Sequence, residues 1–158
     1  MYFGEATINK TDIQPGTTTQ ISFFGKSIKI EFSKELENAP EEIKNKFNKI
    51  LNLCCNGKQL YSYIFHLYPK LWKEINEDSY FEKDQKINNT NDLINSIDTK
   101  HTFLLNYNKY YKIVFFCGNC WFDDEHGFSF SFPNGDFVKG KDIRSYDITR
   151  LGQYSDGL

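Results

Sequence analysis

The spacing of hydrophobic positions changes twice along the chain. Residues 17–24 and 27–33 are β-prone, and in the second run Ile28, Ile30 and Phe32 alternate with Lys29, Glu31 and Ser33. That period of two predicts a strand with one buried and one wet face. Gly25-Lys26 between the runs predicts a tight hairpin turn, and residues 2–8 form a further short strand candidate. At Pro40 the period lengthens. Glu41 and Glu42 suit the first turn of a helix, where the dipole favours acids. Ile43, Phe47, Ile50, Leu51 and Cys54 then recur at helical spacing up to the stop signal Gly57. Leu60, Ile64, Leu67, Leu71 and Ile75 predict a second helix over about residues 58–76, with Pro69 inside the stripe kinking or dividing it. The two make a helical hairpin. Residues 76–89 are polar and read as a loop, after which Thr90 is expected to cap a short helix through about Ile97, with Leu93, Ile94 and Ile97 facing inward.

The final third returns to strands. Residues 101–107 are one candidate and 110–117 another, the latter a nearly continuous apolar run. Phe128, Phe130 and Phe132 alternate with Ser129 and Ser131 before Pro133-Asn134-Gly135, a strong hairpin signal, and Phe137-Val138 would begin a return strand. From Lys139 the chain is polar, and residues 151–158 read as a flexible tail. Strands, then helices, then strands define an α+β class. The expectation is a mostly antiparallel sheet with a helical hairpin and a short third helix packed on one face, in a single domain over residues 1–150.

Composition sharpens this picture. The 158 residues include 15 Phe and 10 Tyr, an aromatic load that supplies a core and excludes a disordered chain. The formal net charge is -2 and the lysines are scattered among acids, whereas a nucleic-acid binder carries a clustered basic face. No segment approaches the roughly 18 apolar residues of a membrane span. Met1-Tyr2-Phe3-Gly4-Glu5 lacks the basic start and apolar run of a signal peptide. The chain is therefore expected in the cytoplasm, without a membrane partner, and Cys54, Cys55, Cys117 and Cys120 are expected as thiols.

Candidate chemistry concentrates at Asp123-Asp124-Glu125-His126, beside Trp121. A metal-dependent hydrolase or nuclease using Asp123, Glu125 and His126 is one reading, since carboxylates and an imidazole bind divalent ions or act as bases. Neighbours in extended chain point to opposite faces, however. The favoured reading is a charged connection in which Trp121, Asp123, Asp124 and Glu125 meet a partner. Cys117-Gly118-Asn119-Cys120 has C-x-x-C spacing, but structural zinc needs four ligands, and the adjacent helical Cys54 and Cys55 diverge by about 100°. A redox pair should open a helix, and this one ends a strand. Free thiols follow, with no metal or cofactor. His66 and His101 read as packing residues. No nucleophile elbow or phosphate-binding loop is present, so the expectation is a binding protein and no enzyme.

Two surfaces remain. Tyr107, Tyr110, Tyr111, Phe115 and Phe116, with Lys109 and Lys112, could stack bases as a nucleic-acid-binding module, a reading the acidic balance weighs against. Glu35, Glu37, Glu41 and Glu42, then Glu74, Glu77, Asp78, Glu82 and Asp84, then Asp123 to Glu125, would make a negative patch if two clusters share a side. Such a patch attracts a basic protein surface and accelerates association.

The segment from Trp121 through Glu125-His126-Gly127-Phe128, Pro133-Asn134-Gly135 and Val138-Lys139-Gly140 to Asp142 resembles the C-terminal signature of a family of small bacterial cytoplasmic domains related to immunity proteins of contact-dependent growth inhibition. In that family a Trp and a Glu-His-Gly step lead into a hairpin with a central Asn-Gly. The likeness covers about twenty residues closely. It implies an immunity protein, or antitoxin, that neutralises a cognate toxin by direct binding; a nuclease toxin with a basic surface would complement acidic residues. The family has no settled catalytic residues to carry over.

Overall fold

In the computed structural model, which describes residues 12–77, 86–110, 112–117, 129–132 and 144–145, the two early period-two runs become an antiparallel hairpin. Strand β1 (Thr17–Phe23) pairs with β2 (Lys26–Phe32), and Phe23 lies opposite Lys26. The turn is therefore Phe24-Gly25, one residue earlier than Gly25-Lys26. Its φ angles of 47° and 84° are the positive pair that a two-residue hairpin turn demands. Positive φ at a phenylalanine costs about 1–2 kcal/mol. Packing offsets it: the Phe24 ring meets Phe23 at 4.9 Å and Tyr61 at 5.2 Å, and its amide donates to the Cys55 carbonyl at 2.8 Å.

A 3-10 turn (Lys34–Asn38) follows, with Leu36 fully buried. The helical period then yields four pieces, where two helices were expected with the second kinked or divided at Pro69. Helix α1 (Glu41–Lys44) starts after Pro40, and α2 (Phe47–Asn56) ends at Gly57. Helices α3 (Lys58–Leu67) and α4 (Pro69–Glu77) divide at Tyr68, as a proline without an amide hydrogen requires. Ile43, Phe47, Ile50, Leu51, Cys54, Leu60, Ile64 and Ile75 are all buried. Trp72 joins them and donates its indole N–H to the Phe65 carbonyl at 2.6 Å.

In the last turn of α4 the side chain of Asn76 imitates a strand partner. Its Nδ2 donates to the Ile87 carbonyl at 2.8 Å and its Oδ1 accepts from the Ile87 amide at 2.7 Å, which fixes Ile87 in the core. Helix α5 (Thr90–Asn95) then begins, capped by Asn89 and not by Thr90. Asn89 Oδ1 accepts from the Asp92 amide at 2.9 Å, and Asp92 Oδ2 accepts from the Asn88 amide at 2.9 Å. The first bond satisfies an orphan donor of the helix start, and the second ties down the residue before the cap. Asn89→Ala is expected to lower stability by about 1 kcal/mol, read as a shifted midpoint in urea unfolding.

The chain re-enters the sheet as β3 (Phe103–Asn108), β4 (Lys112–Phe116), β5 (Ser129–Phe132) and β6 (Arg144–Ser145). The strand order is β1-β2-β3-β4-β5-β6, and every neighbour pair is antiparallel except β2–β3, which is parallel. That pair is the place where the whole helical segment crosses over. The fold is α+β, with a mostly antiparallel sheet. Ile28, Ile30 and Phe32 join Phe103, Leu105 and Tyr107, then Ile113 and Phe115, then Phe132, in the core shared with the helices. On the opposite face Lys29 and Glu31 are exposed. Over β4 and β5, however, Val114, Ser129 and Ser131 are buried on that face too, which explains the unbroken apolar run at Ile113-Val114-Phe115. Lys112 (φ 63°) sits at a register shift where Lys112 and Ile113 both face Phe132. Strand β6 was not expected, because its residues are polar. The strand candidate 2–8, the Asn134-Gly135 turn, the Phe137-Val138 strand and the 151–158 tail lie outside the described residues.

Candidate partner-binding groove

Among the described residues, four stretches of chain meet beside the start of β1 to form an open groove of about 650 Å³. The segment before β1 contributes Asp12, Ile13 and Pro15; the 3-10 turn contributes Leu36 and Glu37; α1 contributes Lys44; and α2 contributes Phe47 and Asn48. Local sequence fixes each wall. Thr17 donates both its amide and its hydroxyl to the Gln14 carbonyl, at 3.2 and 2.7 Å. Gln14 Nε2 donates to Asp12 Oδ1 at 2.9 Å, which orients that carboxylate. Gly16 adopts φ 80° and donates its amide to the Phe32 carbonyl at 2.7 Å, stitching this turn to β2. Across the groove, the Leu36 amide donates to the Ser33 carbonyl at 3.2 Å, and Ser33 is itself tied to β3 through its amide on the Leu105 carbonyl.

The floor is apolar: Leu36 and Phe47 are buried and Ile13 is half-buried. The rim is charged. Asp12 and Glu37 are exposed, Lys44 is half-buried, and Glu35, Glu41 and Glu42 are exposed on the same 3-10 turn and helix start. Asn48 Oδ1 is buried and accepts no hydrogen bond. Leaving such an acceptor unsatisfied costs about 1–3 kcal/mol. An apolar base with carboxylates above it suits an amphipathic cation, whose stem packs while its head pairs. A second, shallower groove of about 470 Å³ lies between the starts of α3 and α5, lined by Lys58, Gln59, Ser62, Asn89, Thr90 and Asn91. Among the described residues its lining includes no carboxylate.

The thiols behave differently. Cys54 and Cys55 are adjacent on α2 yet both fully buried, and Cys117 at the end of β4 is buried with them. The helix is enclosed on more than one side, touching β1, α3 and β4. The Tyr61 hydroxyl donates to the Cys54 carbonyl at 2.6 Å and is also hydrogen-bonded with the Cys117 side chain. Burial pushes the thiol pKa of Cys54 up, with Cys55 and Cys117 adding to it, and burial likewise pushes up Cys55 and the Tyr61 phenol. These protons stay on in the folded chain while the unfolded thiols release theirs near their ordinary pKa of 9.0. Stability contributed by the protonated groups is therefore complete below pH 9 and falls as pH rises beyond it. Equilibrium unfolding at pH 7.5 and 10 should show this loss, and a thiol reagent at pH 8 should label Cys54 and Cys55 only after denaturant is added.

Of the remaining sequence candidates, His66 is exposed with Nδ1 2.7 Å from the Ser62 carbonyl, and His101 lies 3.3 Å from Asp98. Tyr107 and Phe115 are buried on the helix side while Tyr110 is 73% exposed, so those three do not share a stacking face. Glu74 and Glu77 are exposed on α4. Trp121, Asp123, Asp124, Glu125 and His126 lie outside the described residues, as do Tyr111, Cys120, Asp78, Glu82 and Asp84. Among the described residues, no group of three or more His, Cys, Asp or Glu is placed to hold a metal ion, and no helix is long and apolar enough to cross a membrane. Sequence reasoning singled out Glu37 but missed Asp12, Ile13, Pro15, Lys44 and Asn48. They converge only in three dimensions, and no spacing links them.

A family model described as Domain of unknown function (DUF6985) matches residues 2–149. No curated protein and no solved structure matches the chain.

Proposed function

We propose that this chain, which belongs to the DUF6985 family, is an immunity protein that neutralises a cognate bacterial toxin in the cytoplasm by direct binding. The observation that carries this reading is the groove: exposed carboxylates from separate segments stand around an apolar floor, next to a buried acceptor that lacks a donor. Exposed acids on the 3-10 turn and α1 extend the negative face. Such a surface steers a basic partner and fixes its register. A nuclease toxin is the partner class it complements best, because a cleft that binds nucleic acid is itself basic. The resemblance of the segment 121–142 to immunity-type domains supports the same role, with Trp121, Asp123, Asp124 and Glu125 as further contacts.

The test is co-purification with the toxin-domain product of the neighbouring gene, followed by binding kinetics. The combined charge reversal Asp12→Lys and Glu37→Lys is expected to weaken binding about tenfold, mainly through a slower on-rate with a flatter salt dependence. Failure of any such product to co-purify, or unchanged kinetics in the reversed variant, would remove the proposal.

A further inference from the structure

We infer that the groove bounded by Asp12, Glu37, Lys44 and Asn48 is a receptor for an arginine side chain of the partner protein, next to an apolar residue that settles on Phe47 and Leu36. The inference rests on the partner-binding reading and names the chemistry that site selects.

Three acceptor-bearing side chains reach the groove from three different elements: Asp12 from the segment before β1, Glu37 from the 3-10 turn and Asn48 from α2. A lysine ammonium is a compact, strongly hydrated point charge. A guanidinium is planar, carries five donors in a fixed fork and sheds water more readily, so it satisfies spread acceptors at once. Its methylene stem packs on an apolar floor while the head stays at the carboxylates, which matches buried Leu36 and Phe47 below exposed Asp12 and Glu37. Asn48 Oδ1 is a neutral acceptor with no donor in the free protein; it is buried at the groove wall, so a donor reaches it only as that wall gives way around the incoming side chain. Lys44 on the groove wall opposes any cation. Its side chain is half-buried, and removing it is expected to tighten binding.

Charge complementarity commits the site to this occupant. An acidic segment would meet two carboxylates, and a purely apolar one would bring no charge to complement Asp12 and Glu37.

The experiment is an amide NMR titration of the full chain with three capped dipeptides: acetyl-Arg-Leu-amide, its neutral isostere acetyl-citrulline-Leu-amide, and acetyl-Glu-Leu-amide. The arginine peptide is expected to give saturable shifts at Asp12, Glu37 and Asn48, the Asn48 side-chain amide included, with the citrulline peptide at least about fivefold weaker. Asp12→Asn combined with Glu37→Gln should abolish the shifts with the spectrum still that of a folded protein, and Lys44→Met should tighten binding about twofold. No saturable shift in the groove, or equal responses to all three peptides, overturns the inference. A silent titration alongside continued co-purification of the neighbouring gene product sinks the arginine receptor and leaves the immunity role standing. Arginine-specific shifts without any co-purifying partner support the receptor and sink that role.

Discussion

Phe103→Ala is expected to cost about 3–5 kcal/mol, the range for deleting a fully buried phenylalanine. Phe103 is the first residue of β3 and has no exposed surface. It pairs with Ile30 at the parallel junction, where the β1–β2 hairpin meets the later strands. Its ring packs edge-on against Phe23 at 5.2 Å and against Phe115 at 5.9 Å. The deletion therefore empties the spot at which the two halves of the sheet and the helical layer meet, and partial collapse cannot refill it from one side. Since a domain of this kind is stable by only about 5–15 kcal/mol, the variant should unfold at a much lower urea concentration. Leu104→Ala provides the contrast. Leu104 is half-buried on the opposite face, and its loss should be less than half as large. Equal midpoints for the two variants would contradict the placement of the core.

The fold was largely legible because burial imposes a period. Ile28, Ile30 and Phe32 alternate in the sequence and all three are buried in the structure. The split at Pro69 could be read because a missing amide is a property of one residue and needs no tertiary knowledge. Reading failed where the deciding contact is distant. A glycine suggests the hairpin turn but does not say which neighbour shares it; Phe24 holds positive φ with its ring against Phe23 and Tyr61 and its amide on the Cys55 carbonyl, the last two far along the chain. The helix cap was assigned to Thr90, when Asn89 has the better-placed carbonyl oxygen. Strand β6 carries no hydrophobic signal, since two polar residues at a sheet edge need only backbone pairing.

The candidate site was the least legible part, for a related reason. The sequence draws attention to dense local clusters, and acids in the first turns of helices are such a cluster. It could not show that Asp12 and Glu37 line one groove, which requires the Gly16 turn to be stitched to β2 and the 3-10 turn to hang from β3. Nor could it show that Cys54 and Cys55 both face inward. Adjacent helical residues diverge, and two neighbours are buried together only where a helix is enclosed on more than one side, as α2 is. In each case the missing information is which elements pack, and not what each residue prefers.

Gly57→Ala is expected to lose about 3 kcal/mol, at the upper end of the usual penalty for forcing a methyl into filled space. The sequence suggested Gly57 as an ordinary stop signal, a role that glycine fills by adopting positive φ. Here φ is -88°, which any residue tolerates, so the reason for glycine is room. A Cβ at this position would lie 2.5 Å from the Leu53 carbonyl oxygen and 2.6 Å from Leu53 Cδ1. The carbonyl cannot move aside cheaply, because it accepts the Gly57 amide at 2.8 Å and closes the last turn of α2. Gly57 also caps both α2 and α3, so relieving the clash means reorienting one helix against the other and disturbing the Tyr61–Cys54 contact between them. Calorimetry on Gly57→Ala and on the double variant Leu53→Ala with Gly57→Ala separates the two obstacles. If the backbone oxygen is the real barrier, shortening Leu53 recovers less than half of the loss; full recovery would place the obstacle in the leucine side chain, and a single variant within about 0.5 kcal/mol of the parent would show that the linker has slack the packing denies.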